Sequence, residues 1–151
     1  MKNFLILNGP NLNLLGTREP QHYGRLTLEE INLRLNQLAS ELGVGLRCCQ
    51  SNHEGALIDS LHEARTWSSG VAFNPGGYTH TSVAIRDAIS AIGIPVIEVH
   101  ISNVHAREEF RRHSLVAAVC AGSISGLGFL CLALALRALV DIATQNQSPT
   151  G

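Results

Sequence analysis

Two patterns of apolar positions alternate along this chain. The first consists of short, nearly continuous apolar runs, which are typical of strands that are buried on both faces of a sheet. The second consists of apolar residues at helical spacing, such as Ile31, Leu35, Leu38 and Leu42. The strand-like runs cover residues 3–8, 44–50, 71–73, 94–99 and 116–120. This alternation predicts a parallel sheet with helices on both faces.

Residues that cap helices set the expected boundaries. Thr27 with Glu30 forms a capping box, and Gly43 is a typical residue at which a helix ends. Residues 51–54 show the same box and predict a second helix start. A last helix is expected from Phe129 to about residue 144, with a polar tail at 145–151. Five strands and five helices predict a flavodoxin-like, doubly wound fold in a single catalytic domain, residues 1–151.

One uncharged segment, residues 114–136, is long enough to suggest a membrane span. The glycines in 121–128 interrupt it, and we interpret the segment as a buried strand at 116–120 followed by a buried helix. We therefore expect no association with a membrane.

Composition narrows the function classes. The chain has 151 residues, is 45% hydrophobic and 15% charged, and has a net charge of −1 without any basic cluster. A packed domain is expected, and nucleic acid is not expected as a partner. The low charged fraction indicates surface that is buried between subunits. The adjacent Cys48 and Cys49 point to opposite faces of a strand, which disfavours a metal site and fits a reducing cytoplasm.

Motifs for cofactors are missing from the sequence. Lys2 is the only lysine and precedes the first strand, so catalysis through a Schiff base is not expected. The glycines in 122–128 do not match the dinucleotide fingerprint. The sequence therefore predicts neither a metal nor an organic cofactor.

Polar residues cluster at the predicted carboxyl ends of the strands, where open α/β sheets bind ligands. These ends are residues 8–11, 50–52, 74–80, 98–102 and Gly122. The long loop after the first strand adds Arg18 and Tyr23. A guanidinium close to the phenol would lower the pKa of Tyr23 and make it a base.

Glu98 and His100 are two positions apart on one strand, so their side chains share a face about 6.6 Å apart at Cα. A carboxylate beside the imidazole raises the pKa of the histidine and makes it a general acid. Taken alone, however, this spacing slightly favours a structural ion pair at a strand end. The backbone N–H groups after His100 and the Ser102 hydroxyl suit a carboxylate, or form an ordinary turn. At least two of Arg107, Arg111 and Arg112 are expected to be solvated.

Four long motifs together resemble type II 3-dehydroquinate dehydratase over essentially the whole chain. They are NGPNLNLLGTREP at 8–20, SNHEGALID at 51–59, NPGGYTHTSVAIRDA at 74–88 and EVHISNVHAREEFRRHS at 98–114. The resemblance implies a flavodoxin-like fold and loss of water from 3-dehydroquinate to give 3-dehydroshikimate, without metal or cofactor. It also implies a cytoplasmic homododecamer built from trimers.

The resemblance assigns catalytic roles. Tyr23 would take the proton next to the ketone, and Arg18 would lower the pKa of this phenol. Asn11 would orient a water near the enolate oxygen. His100 would protonate the departing hydroxyl, with Glu98 as its partner.

It also assigns substrate contacts. Ile101 and Ser102 would bind the carboxylate, and Asp87 would reach in from a neighbouring subunit. The loop at about 18–25 would close as a lid. Hydroxyl groups would be bound by Asn74, His80 and Arg111.

Two other functions remain open from the sequence. One is a flavin- or nucleotide-binding module on the same fold, and the other is an oligomeric scaffold without catalysis. The sequence also leaves open whether the dehydratase would serve biosynthesis through shikimate or the breakdown of quinate.

Overall fold

The sheet of this protein contains five parallel strands in the order 2-1-3-4-5, which is the flavodoxin-like order. The computed structural model describes residues 1–17 and 19–146. Arg18 and residues 147–151 of the predicted polar tail lie outside the described residues. The predicted fold class is confirmed. The strands are β1 (Asn3–Asn8), β2 (Gly45–Gln50), β3 (Val71–Asn74), β4 (Val96–His100) and β5 (Gly122–Ser125).

Helices cover both faces of this sheet, and alternate residues of β1 show the two layers. Phe4 and Ile6 pack among residues of α2 (Leu28–Leu42) and α5 (Leu130–Gln145), whereas Leu5 and Leu7 pack among residues of α3 (Glu54–Trp67) and α4 (Val83–Ile92). Such a strand has no polar face, because each side chain direction leads into a core. The helices are α1 (Pro20–Tyr23), α2 (Leu28–Leu42), α3 (Glu54–Trp67), α4 (Val83–Ile92) and α5 (Leu130–Gln145).

The two predicted capping boxes have different outcomes. Thr27 caps α2, since its hydroxyl accepts a hydrogen bond from the backbone N–H of Glu30. The capping box predicted at residues 51–54 is wrong, because the N-cap of α3 is His53, whose side chain makes no capping hydrogen bond. The hydroxyl of Ser51 instead accepts from the N–H of His53, and the helix begins two residues later than a box would place it.

The fifth strand is also displaced from its predicted position. Residues 117–119 of the predicted strand form a 3-10 turn, and β5 pairs its first residue, Gly122, with Ile97. The hydroxyl of Ser114 accepts from the N–H groups of Val116 and Ala117, which bends the chain away from an extended path. β5 is a partly exposed edge strand, so it lacks the continuous apolar run that marks the central strands.

No helix in the described part of the chain is both long and apolar enough to cross a membrane. The uncharged segment at 114–136 is divided among a turn, β5 and the first part of α5.

Candidate active site

Loops after β1 and β3 meet closely at the carboxyl edge of the sheet. The N–H of Gly9 donates to the carbonyl oxygen of Asn74 at 2.7 Å. A Cβ atom at position 9 would lie 2.6 Å from the carbonyl oxygen of Pro75, so only glycine permits this approach. The predicted loop convergence therefore depends on the absence of a side chain at Gly9.

A cavity of about 140 Å³ opens at this edge. Glu98 is absent from its lining and lies behind His100, while Asp87 is exposed on α4 and away from this cavity. Eight residues that the sequence singled out line the cavity: Asn11, Tyr23, Asn74, His80, His100, Ile101, Ser102 and Arg111.

Glu98 and His100 form a buried pair at the end of β4. They are 3% and 8% exposed, and Nε2 of His100 lies 2.5 Å from Oε2 of Glu98. The other carboxylate oxygen, Oε1, accepts from the hydroxyl of Ser114 at 2.9 Å. Since Nε2 faces Glu98, the ring presents its other nitrogen for contact with a ligand.

His80 stacks beside this pair on the cavity wall. The ring centroids of His80 and His100 lie 6.4 Å apart with an interplanar angle of 20°. A carbonyl oxygen only accepts, so Nδ1–H of His80 donates to the carbonyl of His113, 2.7 Å away. This contact fixes the tautomer of a neutral His80 and leaves its Nε2 as an acceptor.

Arg107 is the cation that contacts Tyr23 in the described structure. Its Nη1 donates to the phenol oxygen at 2.6 Å, and its guanidinium carbon lies 5.1 Å from the centre of the ring. The side chain of Arg107 is only 7% exposed, and Nη2 lies 3.6 Å from Oε2 of Glu19. The phenol is thus held against a desolvated positive charge.

The expectation that at least two of Arg107, Arg111 and Arg112 are solvated is wrong, because the side chains of Arg107 and Arg111 are only 7% and 23% exposed. Arg112 is exposed as expected, and Arg111 is partly buried with its Nε 3.2 Å from both carboxylate oxygens of Glu108. That hydrogen bond is the main reason that the pKa of Glu108 is lowered. The available signal was position, because Arg107 follows the buried Ser102 in the loop that leaves the carboxyl end of β4.

A short amide network supports the first loop. Asn11 has a φ of 68°, a left-handed conformation that asparagine tolerates better than most residues. Its N–H donates to Oδ1 of Asn52, and Gln50 donates to the same oxygen, each at 3.0 Å. The ends of β1 and β2 are thereby joined beside the cavity.

Comparisons with known proteins agree with this architecture. The sequence model of the family described as Dehydroquinase class II matches residues 2–140. The chain belongs to the class II dehydroquinase family. Within it, a 3-dehydroquinate dehydratase from Bacillus cytotoxicus is 60% identical over 141 residues, which cover 93% of this chain and 97% of the relative.

Further members give the same result. The 3-dehydroquinate dehydratase of Pelotomaculum thermopropionicum is 58% identical over 139 residues, covering 92% of this chain and 96% of the relative. A crystal structure of type II dehydroquinase from Butyrivibrio crossotus superposes with a TM-score of 0.90 at 45% identity, covering 91% of this chain and 97% of that one. The family resemblance of the four motifs is therefore confirmed.

Within residues 1–17 and 19–146, no group of three or more His, Cys, Asp or Glu side chains is arranged to hold a metal ion. The four cysteines are free. The expectation of a reaction without metal or cofactor stays a prediction.

Proposed function

We propose that this chain is a hydro-lyase that converts 3-dehydroquinate to 3-dehydroshikimate through an enolate. The observation that carries the proposal is the pairing of two opposed proton-transfer groups at one cavity. Tyr23 is hydrogen bonded to the buried Arg107, and His100 is hydrogen bonded to the buried Glu98. The relatives named above carry the same activity in their names.

The first proposed step is removal of the proton next to the ketone. Tyr23 acts as the base, and the guanidinium of Arg107 stabilises the phenolate that this role requires. Arg18 is proposed as a second cation for the same anion. Because Tyr23 lies on the short helix α1, closing of the lid at about 18–25 would carry the base towards the substrate.

The second step is loss of the hydroxyl group. His100 donates a proton to the departing oxygen, which leaves as water, and the electron pair of the enolate forms the new double bond. Glu98 stabilises the imidazolium before transfer. Asn11 is proposed to hold a water that donates to the enolate oxygen. In each turnover Tyr23 gains one proton and His100 loses one. Exchange with solvent then returns both side chains to their starting protonation states.

Substrate contacts are proposed for the remaining side chains. The N–H groups of Ile101 and Ser102, with the Ser102 hydroxyl, suit the carboxylate. Ser102 is buried, and its hydroxyl oxygen lies 3.4 Å from Nη1 of Arg107, which adds positive charge near that position. The hydroxyl groups are assigned to Asn74, His80 and Arg111.

A homo-oligomer is proposed as the working form, a dodecamer built from trimers in the cytoplasm. Asp87 lies outside the cavity of its own chain, so a role at the substrate requires it to enter the site of a neighbour. Several large apolar side chains are exposed and available for subunit contacts, among them Leu33, Val83, Phe110, Leu127 and Leu130.

The activity is tested by adding 3-dehydroquinate to the purified chain and following the ultraviolet absorbance of the conjugated enone. We expect product in stoichiometric yield, with and without chelator. Borohydride added with substrate should not inactivate the enzyme, since the only lysine, Lys2, donates to the carbonyl of Ala143 far along the chain. Failure to form the enone would refute the proposed function, and a bound flavin or nucleotide in the sample would favour the binding module.

A further inference from the structure

Ser114 contacts Glu98 of the Glu98–His100 pair and does not line the cavity that holds Tyr23. Its hydroxyl oxygen lies 2.9 Å from Oε1 of Glu98 and also accepts from the backbone N–H groups of Val116 and Ala117, at 3.2 and 3.0 Å. We propose that Ser114 is a positioning residue that fixes the proton content of the Glu98–His100 pair and strengthens it as an acid. The catalytic part of this proposal rests on the proposed function.

The direction of the Ser114 hydrogen bond follows from counting donors and acceptors. A hydroxyl has one hydrogen and two lone pairs, and backbone N–H groups can only donate. The two lone pairs of the Ser114 hydroxyl therefore accept from the N–H groups of Val116 and Ala117. Its single hydrogen is left for Oε1 of Glu98, and that oxygen accepts it as part of a carboxylate.

The consequence for His100 follows from charge. When the pair holds its proton, the carboxylate charge is balanced by the imidazolium. When the proton has left, the full negative charge remains on Glu98, which is 3% exposed and depends on protein donors. A donor at Oε1 therefore stabilises the deprotonated pair more than the protonated one, and His100 releases its proton more readily.

The backbone around Ser114 is anchored on two sides, which holds the hydroxyl in place. The N–H of Leu115 donates to the carbonyl of Thr79 at 2.9 Å. The carbonyl of Leu115 accepts from Nη1 of Arg86 at 2.7 Å. The loop that carries Ser114 is therefore hydrogen bonded both to the segment that contains His80 and to α4.

Other titratable groups face the pair, and they are the same in every variant below. Tyr23 and Arg107 lie across the first cavity. Burial, followed by the nearby Glu98, raises the pKa of Cys120 to about 12, so its thiol is neutral at working pH. A second cavity, of about 160 Å³, also reaches the pair, since Glu98, His100 and Ser114 line it. Four further titratable side chains line one or both cavities: His80, His105, Arg111 and Arg112.

Ser82 provides a matched control within the same chain. Its hydroxyl accepts from the N–H of Ile85 at 2.9 Å and donates to Oε2 of Glu54 at 2.6 Å, so it combines a helix cap with a carboxylate contact. It does not line either cavity beside the Glu98–His100 pair. Ser82→Ala should lower thermal stability as a lost cap does, without changing the acid pair.

The test compares Ser114→Ala, Ser114→Thr and Ser82→Ala. For Ser114→Ala we expect kcat to fall about 3- to 10-fold with little change in KM, from the loss of a charge-assisted hydrogen bond. The descending limb of the kcat pH profile should move to higher pH by about half a unit to one unit. Ser114→Thr keeps the hydroxyl and should restore both, whereas Ser82→Ala should leave the profile unchanged.

A readout without substrate separates this proposal from the proposed function. The ring nitrogens of His100, followed by nitrogen-15 NMR, should titrate at a higher midpoint in Ser114→Ala than in the wild type or in Ser82→Ala. An unchanged midpoint in Ser114→Ala would overturn the role of Ser114, even if the enzyme is active. An inactive wild-type protein would remove the proposed reaction, and the NMR comparison would still decide whether Ser114 controls the pair.

Discussion

Replacing Arg107 by lysine tests the contact that sequence reasoning missed. The guanidinium reaches the phenol oxygen of Tyr23 at 2.6 Å and Oε2 of Glu19 at 3.6 Å from one nearly buried side chain. Lysine keeps the charge but lacks the planar fork, and its ammonium is more strongly hydrated. Arg107→Lys should therefore weaken the stabilisation of the Tyr23 anion without removing positive charge from the cavity.

The expected size follows from the contact with Tyr23. A hydrogen bond to a charged group contributes about 1.5–3 kcal/mol, and each 1.36 kcal/mol is a factor of ten in rate. We therefore expect kcat to fall about 10- to 150-fold in Arg107→Lys. The contact with Glu19 is worth less, below about 1 kcal/mol, because that carboxylate is 49% exposed and screened by water.

Steady-state kinetics on enone formation, with thermal unfolding as a check of the fold, measure this effect. Glu19→Gln is the matched control, since it removes the weaker contact and keeps the guanidinium beside Tyr23. It should change KM by less than about fivefold and leave kcat nearly unchanged. A kcat for Arg107→Lys within twofold of wild type would refute the assignment of Arg107 to the phenolate.

Three further predictions concern individual side chains. Tyr23→Phe should nearly abolish turnover, while calorimetry should show that the substrate still binds. Tyr78→Phe, which changes the other tyrosine, is the control and should stay active. Near-normal turnover without the Tyr23 hydroxyl would refute the assignment of Tyr23 as the base. Arg18→Lys should also be severely impaired, and wild-type kinetics there would count against its role. Burial raises the pKa of both Cys48 and Cys120 from 9.0 to about 12. Thiols of the unfolded chain ionise at lower pH than those of the folded chain, so the free energy of unfolding should fall as pH rises from 9 towards 12. Urea unfolding of a variant with alanine at both Cys48 and Cys120 should show a smaller fall over this range. The same dependence on pH in this variant and in the wild type would contradict the prediction.

Much of the fold was accessible from sequence because the central strands are buried on both sides. The run at residues 3–8 could not face water on either side, so its strand character needed no tertiary information. Thr27 with Glu30 likewise forms a local interaction that the sequence records directly. β5 was misplaced because an edge strand depends on its partner, β4, more than on its own apolar pattern.

The contacts of the candidate site were likewise predictable from the sequence only in part. Glu98 and His100 were paired correctly in space, since residues two apart on a strand share a face. The burial of Arg107 depends on where the loop after β4 folds and on the approach of α1, and no spacing rule encodes either. The contact of Ser114 with Glu98 joins residues 16 positions apart through a bend that sequence reasoning had interpreted as the approach to a strand.

In the proposed reaction Tyr23 and His100 act on successive steps of one elimination, and isotope exchange separates the two steps. Wild type, His100→Gln and Tyr23→Phe are incubated with 3-dehydroquinate in deuterium oxide, and proton NMR follows the hydrogen next to the ketone. Loss of water should fall steeply in His100→Gln while exchange at that carbon continues, and both should stop in Tyr23→Phe. Exchange at the wild-type rate in Tyr23→Phe, or loss of exchange together with elimination in His100→Gln, would contradict this division of roles.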